Sequence, residues 1–131
     1  GNCLVHGNNV LDVREGYSEY KECRQFIETY FKANFVKDFE GEKVINGKSE
    51  DFISNDLKFQ IKESEYPVQP DVLETLPGAV PIFFYPSGEV AGVRIEGKYK
   101  IVYLGFSLDD IQQIDVKKEL IKRVLAWFNQ E

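Results

Sequence analysis

Apolar positions along the chain change their period several times, and each change marks an element. "NCLVH" (Asn2 to His6) is a short apolar run closed by the turn residues "GNN", and it reads as a strand. From Ser18 the spacing becomes helical. Tyr20, Cys23, Ile27, Tyr30 and Phe31 share one face, and Glu19, Lys21, Glu22, Arg24 and Glu28 take the other. This predicts an amphipathic helix of about four turns with Ser18 as its N-cap. "NFVKDF" (Asn34 to Phe39) reads as a second strand. The chain up to Phe39 therefore forms a β–α–β unit, for which parallel strands and a right-handed crossover are expected.

The middle is less periodic. "GEKVINGKSEDF" carries two glycines and little pattern, whereas "DLKFQI" (Asp56 to Ile61) alternates Leu57, Phe59 and Ile61 as a half-buried strand does. "YPVQPDVLETLPGAVP" holds three prolines before Pro81, which predicts an ordered loop with at most one helical turn, at Asp71 to Leu76. Three strands then follow closely: "PIFFYP" (Pro81 to Pro86), "EVAGVRIE" (Glu89 to Glu96) and "KYKIVYLGF" (Lys98 to Phe106). Their separators, "SG" and "EGK", are glycine turns suited to antiparallel hairpins. A last helix, Asp115 to Gln130, puts Val116, Leu120, Ile121, Val124, Leu125 and Phe128 on one stripe opposite Lys117, Lys118, Lys122 and Arg123, with Asp115 as its cap. Trp127 reads as a core or dimer residue. The expected architecture is one α/β domain over residues 1–131: a three-layer-type sheet with an N-terminal βαβ unit, a C-terminal antiparallel β-meander and a terminal amphipathic helix.

Composition narrows the function. A chain of 131 residues, 43% of them hydrophobic, is long enough to bury a core without disulfides. Its 16 basic and 22 acidic residues are scattered and leave a net charge of −6, which argues against nucleic acid and against an anionic membrane surface. No apolar run is long enough to span a bilayer. The two cysteines, Cys3 and Cys23, are expected as buried free thiols, with a Cys3–Cys23 bridge as the alternative. With His6 the only histidine, no zinc pattern exists, and neither a metal nor a cofactor is expected. The chain lacks methionine, so Gly1 is not a translation start and is read as an engineered start or as a position inside a longer gene product.

"GNCLVHGNN" and "YKIVYLGF" together carry a family resemblance. The order of elements and these two segments resemble the class I glutamine amidotransferase-like, flavodoxin-like domains. More narrowly, they resemble the non-amidotransferase branch found as accessory domains of bacterial secreted and envelope proteins. The resemblance implies that this chain is the later part of such a domain, that its location is extracellular or in the cell envelope, and that its partners are other domains of the parent protein. Strands preceding Gly1 would also be implied, and without them an uncovered sheet edge would favour a homodimer. Active members present a cysteine at a strand-to-helix elbow and a His-x-Glu pair after a later strand. Here His6 stands at the elbow and Phe106-Ser107-Leu108 follows Gly105, so amidotransferase chemistry is not expected.

What remains is a set of polar residues past strand ends, where open α/β sheets bind ligands. His6, Asn8, Asn9 and Asp12 follow the first strand, and Ser107, Asp109 and Asp110 follow the last; together they are a candidate pocket for a small polar ligand. The same residues also serve as turn formers and solvated acids. No loop spacing supports Ca²⁺ at Asp12, Asp109 and Asp110. Phe83, Phe84, Tyr85, Tyr99 and Tyr103 could offer a sugar-stacking platform, although alternation turns about half of them inward. The function expected is a non-catalytic interaction or ligand-binding domain. The alternative is a hydrolase that uses Ser107 or Cys3 as nucleophile and His6 as base.

Overall fold

The computed structural model describes residues 2–8, 20–62 and 69–130, without the side chains of residues 20, 21, 23 and 24. Along them run β1 (Cys3–His6), α1 (Tyr20–Tyr30), β2 (Ala33–Asp38), β3 (Val44–Gly47), β4 (Lys58–Gln60), β5 (Asp71–Thr75), β6 (Ala79–Phe84), β7 (Val90–Glu96), β8 (Lys100–Leu104) and α2 (Ile114–Phe128). A short 3₁₀ turn, Leu108–Asp110, lies between β8 and α2. The meander forms as the glycine turns predict: β7 pairs antiparallel with both β6 and β8.

All eight of these strands join one mixed sheet, with β3 and β4 continuing beyond β6, and β5 carrying β2 off the start of β7. The sheet curls into a half-barrel. Its far edge is met by the chain that leaves β8: Ile61 bridges Ile111, Lys62 N donates to Asp110 O at 2.7 Å, and Gln112 N donates to Gln60 O at 2.9 Å. Among the described residues the fold is therefore mostly strand, with only 23% helix, and replaces the three-layer, flavodoxin-like α/β sheet expected from the sequence.

The expected βαβ unit fails at its pairing. β1 runs parallel to β8, with Cys3 opposite Ile101 and His6 opposite Leu104, while β2 runs antiparallel to β5. Consecutive strands need not be neighbours when another edge is open. The β7–β8 hairpin leaves one side of β8 with unpaired N–H and C=O groups, and β1 satisfies them.

Successive residues of β8 serve different cores. Val102 and Leu104 join Ile45, Phe59, Ile82 and the α2 residues Leu120, Val124 and Trp127. Ile101 and Tyr103 pack instead with Leu73, Val93, Ile95, Ile27 of α1 and Ala33 of β2. Because apolar groups cover both sides, β7 and β8 read as nearly continuous apolar runs instead of an alternation.

Two strands, β3 and β5, lie in segments that the periodicity treats as loop. In β5 the prolines stand just outside the strand, where no ladder hydrogen bond is lost. Its first residue, Asp71, is fully buried, donates from its N–H to Gly105 O at 2.7 Å and accepts from the Tyr85 hydroxyl at 2.6 Å. A Cβ at Gly105 would sit 2.9 Å from Asp71 O, so the glycine of "YLGF" serves close backbone packing. Gly47 is more constrained: a Cβ there would lie 1.7 Å from Ser54 O.

α2 forms where the stripe predicts it. Gln113, not Asp115, is the N-cap, and Leu125 is exposed. Trp127 is buried in the core. Cys3 is an exposed free thiol, which corrects the expected burial; the Cys23 side chain lies outside the described residues. Among the described residues no helix is long and apolar enough to cross a membrane.

Candidate functional site

Parallel pairing of β1 with β8 brings two groups of sequence-selected residues to one end of the sheet. His6 closes β1, and Ser107 to Asp110 follow β8. Leu108 N donates to His6 Nδ1 at 3.1 Å, and Gly7 N donates to Phe106 O at 3.1 Å. Ser107 caps the 3₁₀ turn, its Oγ accepting from Asp109 N at 3.2 Å. Asp109 is exposed and sits 3.5 Å from Lys117 Nζ, while the Asp110 carbonyl holds the Lys62 amide. Asn8 is half-buried beside this end; Asn9 and Asp12 lie outside the described residues. The imidazole acceptor thus ties the end of β1 to the segment after β8, and the serine hydroxyl caps the turn within that segment. Among the described residues no group of three or more His, Cys, Asp or Glu side chains could hold a metal ion.

A second polar cluster is internal. Asp51, buried in the loop after β3, accepts from Ile53 N, Ser54 N and Ser54 Oγ through Oδ2 and pairs through Oδ1 with Arg94 Nε at 2.9 Å. The Arg94 guanidinium lies 5.6 Å from the Trp127 ring centroid. Arg123 of α2 donates to the carbonyls of Ile53 and Asn55. These contacts fix the loop between the sheet and α2, with every polar atom of the carboxylate turned to protein.

At the opposite end of β8 an open groove of about 360 Å³ lies between the end of α1 and the β7–β8 turn. Ile95 and Ile101, cross-strand partners, contribute apolar lining. Tyr30, the last residue of α1, and Tyr99, in the turn, also line it and remain 48% and 43% exposed. The Tyr30 ring is 4.9 Å from that of Phe26, which is itself exposed, so aromatic surface continues along the helix. Lys32 and Lys98 complete the groove. Lys32 follows the helix with φ of 49°; its aliphatic stem lies over Gly78 and its Nζ donates to Thr29 O at 3.2 Å. Lys98 Nζ is 5.6 Å from the Tyr99 ring centroid.

The expected aromatic platform is corrected by this arrangement. Phe83, Tyr85 and Tyr103 are buried and Phe84 is half-buried, leaving Tyr99 as the member on the surface. Its companion, Tyr30, sits in the amphipathic pattern of α1 as a core-facing residue. The signal for it was indirect: Phe26, Tyr30 and Phe31 together exceed what one helix end can bury. Compared with models of known protein families and with curated protein sequences, the chain matches none.

Proposed function

We propose that this chain is a non-catalytic binding domain that takes a small polar or carbohydrate ligand in the groove of Tyr30 and Tyr99. One observation carries the reading. Two tyrosines line an open groove and stay nearly half-exposed, while most aromatics of the strands are spent in the core. Exposed aromatic faces above an apolar floor gain from stacking on the C–H faces of a sugar ring, and the phenol hydroxyls can hydrogen-bond its rim. The volume suits a ligand of small-molecule size. Such a domain serves as an accessory unit beside other domains of a secreted or envelope protein, where recognition without turnover is useful.

The hydrolase alternative gains nothing from the geometry. Cys3 and His6 are three residues apart in β1 and therefore project to opposite faces. Ser107 Oγ accepts the Asp109 amide and His6 Nδ1 accepts the Leu108 amide, which supports a structural role for both.

Thermal melting with a panel of neutral and acidic oligosaccharides tests the proposal. A ligand at about a hundredfold excess over its Kd stabilises the fold by about 2.7 kcal/mol, a readily measured rise in Tm. The rise is expected to disappear in Tyr99→Ala and Tyr30→Ala, which still fold. No rise with any member, or a rise that both variants retain, would overturn the reading.

A further inference from the structure

We infer that the groove selects acidic saccharides, those carrying a carboxylate on the ring, over neutral ones. This rests on the binding role just proposed and adds the chemistry of selection. Four observations support it. First, the residues lining the groove include two lysines and no carboxylate, in a chain whose net charge is −6. A local cationic site on an acidic protein keeps anions of the right shape near one place, because the rest of the surface repels them. Second, neither Lys32 nor Lys98 pairs with a carboxylate among the described residues, whereas Lys37, Lys117, Arg94 and Arg123 each do. The two groove cations are thus available to a ligand. Third, Lys32 is positioned before any ligand arrives, by its stem over Gly78 and its bond to Thr29 O. Preorganisation lowers the entropy lost on binding. Fourth, Lys98 Nζ lies over one face of the Tyr99 ring, 5.6 Å from its centroid, so a sugar held against the other face or the ring edge carries its anion close to the ammonium.

The shape of the site argues against an acidic peptide as occupant. A cavity of about 360 Å³ with two aromatic side chains accommodates one or two rings, whereas an extended peptide needs a longer groove or an added strand.

The matched pair that isolates the charge is trigalacturonate and its fully methyl-esterified form, which share ring shape and differ only in the carboxylates. Hyaluronan tetrasaccharide and sialyllactose extend the acidic set, and a Glu-rich peptide tests charge without a sugar. Binding is read by isothermal titration at low and high salt. Two exposed charge contacts are expected to favour the acidic form about tenfold at low salt, with the preference shrinking as salt rises. Lys32→Gln with Lys98→Gln should erase the preference and leave weak stacking of both forms, and Tyr99→Ala should abolish both.

Equal binding of acid and ester would overturn the inference while leaving the binding role intact. Binding of the Glu-rich peptide as tight as any acidic saccharide would overturn the saccharide assignment. If no saccharide of either kind binds, the inference and the binding role fall together.

Discussion

Tyr85 shows what a single buried phenol does in this molecule. Its ring stacks on Phe39 at 3.9 Å, and its hydroxyl donates to the Asp71 carbonyl. Burial above all, and then the negative charge of Asp71, the Tyr103 phenol and Glu89, push its pKa well above the ordinary tyrosine value of 10.0. The folded chain thus holds a proton that the unfolded chain gives up in alkali. Stability from this group is complete below about pH 10 and declines as the pH rises above it. Urea midpoints should therefore fall between about pH 9 and pH 11.5, and less steeply in Tyr85→Phe. The phenylalanine variant should also be less stable at neutral pH by about 1 kcal/mol. Parallel pH profiles for the two proteins would show that the phenol does not govern the alkaline limit. The same scale explains why the candidate site was half legible. His6 and Ser107 were visible as polar residues at strand ends, but polarity alone does not distinguish a ligand contact from a hydrogen bond that ties two segments, as at His6, or caps a turn, as at Ser107.

At the scale of elements, α2 shows a helix completed by another part of the chain. Its last turn contains no basic residue of its own. Lys100, the first residue of β8, reaches across to donate to Trp127 O at 2.8 Å and Gln130 O at 2.7 Å, with its ammonium 5.4 Å from the Trp127 ring centroid. A cation there adds a second donor to the Trp127 carbonyl and opposes the negative end of the helix dipole. Lys100→Met should cost about 1 kcal/mol. Amide exchange should speed up at the end of α2 and stay unchanged in β7, and uniform loss across the sheet would contradict a local role. The stripe of α2 and the glycine-marked meander were readable because their signals are local. β3 and β5 were not, because a four-residue strand such as Val44–Gly47 shows no period, and Asp71 is polar yet buried, its main chain held by the distant Gly105 and Tyr85. Nor could β1 announce its partner, since pairing with β8 is settled by an edge that forms far along the chain.

For the whole molecule, β5, β7 and β8 each contribute buried residues to both apolar clusters. Neither cluster can be exposed without disturbing the strands that carry the other. Unfolding should be a single transition, with Trp127 fluorescence, which reports the α2 side, and far-UV circular dichroism, which reports the sheet, giving coincident urea curves. Separated curves would mean that the two sides melt independently.

The pairing of β1 with β8 also sets a timetable during synthesis. Lys100 N donates to Asn2 Oδ1 across 98 positions of chain, and Cys3 to His6 find their register only against residues that are translated late. At roughly 5–20 residues per second the segment waits for about 5–20 seconds with its backbone N–H and C=O groups unpaired. Contacts of such long range also slow the folding of a released chain. A nascent polypeptide of this kind depends on its early residues staying soluble until the strand that receives them has left the ribosome.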